Sequence, residues 1–147
     1  MDIFGIIRVD MKPSLWDVVR RVDAICTENA DDLCAPNAEC FRSISVPNMS
    51  IDNYWIRIVD NFYCEPNTFL IALVYIERLN KHIPIKHNNV HRILLVACVL
   101  ARKYHEDDGY TNAHYAIIGG LCTKELCLLE MYFCKLIGYK LFVKSLA

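Results

Sequence analysis

Apolar side chains return along this chain every third or fourth residue, and over no useful length every second. Leu15, Val18, Val19, Val22, Ile25 and Cys26 form the first such stripe, the mark of a helix with one buried face. Ser14 followed three residues later by Asp17, just after Pro13, predicts its start as a capping box. Residues 28–50 are rich in Asn, Asp, Pro and Ser and predict a long loop, of the kind that is usually functional or mobile. Ser50 can cap the next helix, whose stripe is Ile51, Tyr54, Trp55, Ile58, Val59 and Phe62. Pro66 suits the first turn of another, with Phe69, Leu70, Leu73, Tyr75, Ile76 and Leu79 facing inward.

Pro84 breaks the chain again, and Asn88 or Asn89 can cap a further helix. There LLVACVLARKYHEDD, residues 94–108, runs apolar on nearly all sides before ending in mixed charge. A short helix from Asn112 is stopped by Gly119-Gly120. Thr123 is placed to cap a last helix with Leu126, Leu129, Phe133, Leu136 and Ile137 inward, ended by Gly138. The pattern therefore predicts an all-α protein: one N-terminal helix, a loop, then five helices. The third of these, roughly 89 to 106, is apolar on most faces and is expected to be the central buried helix.

Composition narrows the classes. A chain of 147 residues is one-domain length, and 54% hydrophobic content with 22% charged residues supplies a large core. Sixteen basic and 17 acidic residues leave a net charge of -1, without the basic excess expected of a nucleic-acid binder. The longest apolar run, residues 93–101, is far short of the roughly 20 residues needed to span a bilayer. The N-terminus MDIFGIIRVDMKP has no signal-peptide form, so a soluble intracellular protein, cytoplasmic and/or nuclear, is expected.

Eight cysteines include no C-x-x-C pair, and reduced cysteines packed as small hydrophobes are the expectation. His87 and His91 stand four apart, a metal-compatible spacing, but no acid or cysteine follows at a recognisable distance. There is no P-loop, Gly-rich loop or nucleophile elbow. No catalytic residue, metal or cofactor is expected.

Four blocks then carry a resemblance. FLIALVYIERL, LLVACVLARKYHED and ELCLLEMYFCKLIGYKLFV resemble, in order and spacing, helices two, three and five of a cyclin box. FRSISVPNMSIDNYWIRIVDNFYCEP resembles the first-helix region of the phosphate-pathway and U-type cyclins, which have a single box. The resemblance runs from Phe41 to Val143. It implies residues 1–40 as an N-terminal helix and loop, 41–143 as one cyclin-box five-helix bundle, and 144–147 as a tail, with no second box.

It also implies a partner: the N-lobe of a cyclin-dependent protein kinase, bound by the ends of the box's third and fifth helices and activated, with no nucleic acid or membrane involved. Lys103, in the pattern A-x-K-aromatic-x-E, and Glu130, in L-L-E, correspond to the pair that grips main-chain groups at the start of the kinase's C helix. Apolar contact positions fall on Leu100, Tyr104, Met131, Cys134, Tyr139 and Leu141, and Glu106 matches a frequent acid. Two departures stand out. Tyr54 in NMSIDNYW lies near the tryptophan of the mitotic cyclins' substrate-docking patch, and the family's Tyr-Ile-Asp-Arg reads YIER, with Glu77 for Asp.

The residues fit that use. Leu100 and Tyr104 share a helix face. Lys103 offers three donors, and Glu130 can accept backbone N–H groups and hold Lys103; both are expected to be mostly exposed. The plainer alternative is that 102–108 is a solvated helix end, that Glu77 and Arg78 form an internal salt bridge or cap, and that Tyr54 and Trp55 are core. Two other classes compete: a transcription-factor core of the same fold, which salt-dependent DNA binding would reveal, and a small Cys/His metalloenzyme, which stoichiometric zinc would reveal.

Overall fold

Six α-helices and one short 3-10 helix make up the described residues, 13–42, 49–106 and 109–144, of the computed structural model. The N-terminal MDIFGIIRVDMK segment, residues 43–48 of the first-helix block, Asp107, Asp108 and residues 145–147 lie outside them.

Helix α1 spans Pro13–Glu28 and buries Leu15, Val18, Val19, Val22, Ile25 and Cys26, the stripe its spacing predicts. Ser14 already lies within the helix and is therefore not its cap. The expected loop 28–50 is not irregular throughout. Pro36–Phe41 forms a 3-10 helix that sinks Phe41 into the core, its ring edge-on to Phe133 at 6.2 Å.

Helix α2 is Ile51–Phe62, with Ser50 Oγ accepting the Asn53 N–H as predicted. Its Trp55 is fully buried and donates Nε1–H to the Leu15 carbonyl of α1 at 2.8 Å. Helix α3 is Pro66–Asn80 with Pro66 in its first turn. Arg21 of α1 reaches α3 with a forked pair of hydrogen bonds, both 3.0 Å, to the two oxygens of Glu77. Glu77 thus bonds to a residue of another helix, while Arg78 donates to the Lys140 carbonyl at 2.6 Å.

Helix α4, Val90–His105, is the hub: every residue from Ile93 to Arg102 is buried, with α2, α3, the 3-10 helix and the two helices that follow all packed on it. Surrounded on all sides, it has no use for a polar face, which is why its sequence lacks one until the last turn. Asn89 occupies the N-cap position but does not cap with its side chain. Its Oδ1 accepts from Lys86 N and its Nδ2 donates to the Pro84 carbonyl, rigidifying the preceding loop instead.

Helix α5, Asn112–Gly119, is capped by Thr111 and ended by Gly120 at φ +74°. Helix α6, Thr123–Leu136, is capped by Cys122 rather than Thr123. The Cys122 thiol accepts the Glu125 N–H, and Glu125 returns a bond to the Cys122 N–H. Gly138 and Tyr139, both left-handed, turn the chain back against α3 and α4. No helix among the described residues is long and apolar enough to cross a membrane.

Candidate functional site

The last turn of α4 holds Arg102, Lys103 and His105 beside carbonyls that lack helical partners. Cations there are stabilised by the helix dipole, typically by about 0.3–1 kcal/mol. Each then takes a different route. Arg102 stays buried and lies 3.0 Å from Glu106, whose other oxygen accepts from Thr68 Oγ at 2.6 Å. That places Glu106 against the first turn of α3, away from α6.

Lys103 turns to α6. Its Nζ lies 2.9 Å from Glu130 Oε1 and 3.2 Å from Oε2, joining the two residues that the resemblance singles out. The Lys103 side chain is 40% exposed, but that of Glu130 only 13%, so the expectation that both are mostly exposed is wrong for Glu130. The reason is Asn112, the first residue of α5, which covers the carboxylate and donates Nδ2–H to Oε2 at 2.7 Å.

Exposed apolar side chains accompany this pair on the same elements. Tyr104 (60% exposed), Met131 and Tyr139 stand out from α4, α6 and the following turn. Cys134 is half-buried beside them, and burial pushes its thiol up. Leu100 and Leu141 are buried, so they support this surface from below more than they form it.

The turn that carries Tyr139 and Leu141 is fastened by Tyr75 and Arg78 of the YIER stretch and by His105, none of them among the expected contact residues. Buried Tyr75 donates its O–H to the Leu141 carbonyl at 2.5 Å, and His105 Nε2 sits 2.9 Å from that hydroxyl. With the tyrosine proton committed to Leu141, the histidine nitrogen must be the donor to the tyrosine oxygen. Arg78 holds the neighbouring Lys140 carbonyl. The aromatic in YIER was one available signal, but its partner lies 66 residues away. Phe142, the residue after Leu141, is 72% exposed.

At the other end of the bundle Tyr54 is buried, its hydroxyl bonded to the Gly119 carbonyl at 2.8 Å and its ring edge-on to His91. It does not present an open aromatic face for substrate docking. His91 Nε2 is 2.8 Å from the Met49 carbonyl.

The fold is a small helical bundle around one all-round buried helix, with a charged pair joining the ends of two helices. The family model described as Cyclin matches residues 19–141, and this chain belongs to the cyclin family. Its relatives lie among the plant U- and P-type cyclins. Cyclin-U4-1 of Arabidopsis thaliana is 38% identical over 104 residues, covering 69% of this chain and 52% of that protein. Cyclin-U2-1 of the same plant is 40% identical over 106 residues, 70% and 48% of the two chains. Cyclin-P3-1 of Oryza sativa subsp. japonica is 37% identical over 93 residues, 62% and 39% of the two. The chain thus spans about half the length of the first two of these curated relatives, and less of the third.

Proposed function

We propose that this chain is a non-catalytic regulatory subunit that binds and activates a cyclin-dependent protein kinase through the surface around Lys103 and Glu130. The observation that carries the reading is the pair itself: two residues 27 positions apart, joined at 2.9 Å on the ends of two helices and framed by Tyr104, Met131 and Tyr139.

Phosphoryl transfer needs the kinase's strand lysine paired with its C-helix glutamate. A partner that binds only the inward position of that helix raises its population by the differential affinity. Such a partner must be rigid, apolar and oriented by few charges. Here α4 supplies the rigidity, being buried over ten consecutive residues from Ile93 to Arg102. Lys103 has donors to spare for carbonyls at the start of the C helix, and the Glu130 carboxylate accepts from N–H groups.

The test is capture of kinase activity from a native extract by the tagged chain, compared with Lys103→Ala and Glu130→Gln. Truncating one member of a desolvated charged pair typically costs about 2–5 kcal/mol of binding. Kinase activity recovered by the wild type and lost with Lys103→Ala is expected. No kinase activity with the wild type would overturn the function, and full recovery with both variants would overturn the site.

A further inference from the structure

Glu130 is gripped from two sides, and only one grip comes from α4. Asn112 Nδ2 donates to Glu130 Oε2 at 2.7 Å, closer than either Lys103 contact, and lies 3.1 Å from Cys127 Sγ. Asn112 Oδ1 is buried and has no hydrogen-bond partner. The amide orientation follows from that environment: exchanging its N and O would set a carbonyl oxygen against a carboxylate.

We infer that Asn112 is a positioning residue for the proposed kinase-binding pair, fixing the Glu130 carboxylate so that Lys103 and Glu130 meet the partner in one geometry. The inference rests on the reading of that pair as the kinase contact. Lys103 alone is a poor anchor. Its stem is long and flexible, it is 40% exposed, and exposed ion pairs give up much of their attraction to side-chain entropy and screening. Asn112 has a short side chain on the first residue of a helix, and that helix is fixed by the Thr111 cap, whose Oγ accepts the His114 N–H. Of the two donors on Glu130, the stiff one is therefore Asn112. Helix α5 contributes no other residue to the proposed surface, and through this one contact it sets the geometry of the pair between α4 and α6.

The test uses the full chain and the purified kinase that the wild type recovers, with affinities measured at pH 7.5 and 5.5. Asn112→Ala removes a hydrogen bond to a charged group and is expected to weaken binding about tenfold. Asn112→Asp sets a second carboxylate against Glu130. At pH 7.5 the two repel and binding falls. As the pH drops the pair shares one proton, a donor to Glu130 returns, and most of the affinity is regained. Among the described residues, the other titratable groups facing Glu130 are Lys103 from α4 and Cys127 and Cys134 on α6. All are common to wild type and variant, so a difference in pH profile belongs to position 112.

A purely structural role would leave a folded Asn112→Asp chain equally weak at both pH values, and that result overturns the inference, as does wild-type affinity in Asn112→Ala. If Lys103→Ala also binds normally, the proposed interface has failed; if it is weak while both Asn112 variants bind normally, only the positioning role has failed. Carboxyl carbon NMR of the free chain decides the contact without any partner. Asn112→Asp should split the local titration, with one step raised above the ordinary carboxylate range, and an unchanged Glu130 midpoint would sink the proposal.

Discussion

Removing Glu130 should cost the isolated chain more stability than removing Lys103, although the two form one ion pair. The side chains differ in what they leave behind. Lys103 is 40% exposed, and without it Glu130 still accepts from Asn112. The loss is that of a half-exposed ion pair, at most about 1 kcal/mol. Glu130 is 13% exposed, and its truncation to Ala takes the hydrogen-bond acceptor from Asn112, whose Oδ1 already lacks a partner. Losing this hydrogen bond to a charged group, with only the weak acceptor Cys127 Sγ left 3.1 Å from Nδ2, costs about 1–3 kcal/mol on top of the ion pair.

For a chain of this size each kcal/mol moves Tm by about 2–4 °C. Glu130→Ala should therefore lower Tm by about 2–16 °C, and Lys103→Ala by less than about 4 °C. Urea titration followed by helical circular dichroism, repeated at high salt, gives the free energies. The Lys103 effect should shrink with salt, since exposed charges are screened, while most of the Glu130 effect should persist. Equal losses in the two variants, or a Glu130→Ala chain as stable as wild type, would refute the account. The same reasoning makes Lys103→Ala and Glu130→Gln the right probes of binding.

Glycines 119 and 120 should fail for different reasons. A methyl group at Gly119 would overlap Leu95 of the hub helix, so Gly119→Ala should lose about 1–3 kcal/mol by overpacking. Gly120 has open space but φ +74°, so Gly120→Ala should lose about 1–2 kcal/mol through backbone strain alone. Adding Leu95→Ala should relieve part of the first and none of the second in a double-mutant cycle. His91 gives a pH effect. Burial lowers its pKa below the usual value, so the unfolded chain binds the extra proton more readily. The stability that His91 contributes is present above the unfolded value of about 6.5 and lost as pH falls toward the folded one. With Nε2–H donating to the Met49 carbonyl, protonation would fall on buried, unpartnered Nδ1. Urea midpoints from pH 7.5 to 5.5 should decline less in His91→Gln; an identical slope would refute this.

What could be read from sequence is what depends on near neighbours. The unbroken apolar run of α4 requires burial on all sides, and it is buried from Ile93 to Arg102. Ser50 and Pro66 act within three or four residues of where they stand, and both are found in the predicted role. The α6 cap lies one residue before the expected Thr123, because a thiol is an uncommon capping acceptor, yet Glu125 closes the box with Cys122. Phe41 was hidden in a polar, proline-containing stretch. A single aromatic without a periodic partner gives no signal until Phe133 of α6 is known to lie against it.

The candidate site divides along the same line. Lys103 and Glu130 were found through the family's spacing, which records a long-range contact in local patterns, and they do meet at 2.9 Å. The residues that hold the site in shape gave no sign of which distant group they would reach, even where Tyr75 and Arg78 stand in the family's YIER motif. Asn112 reaches Glu130 across 18 positions, Tyr75 reaches Leu141 across 66, and Arg78 reaches Lys140 across 62. Each is a polar side chain that reads locally as an ordinary helix residue. A surface that works by contact needs its few charges held rigid, because flexible ion pairs in water contribute little. The spacing of Lys103 and Glu130 therefore locates the pair, but its geometry depends on what α3 and α5 place beneath it.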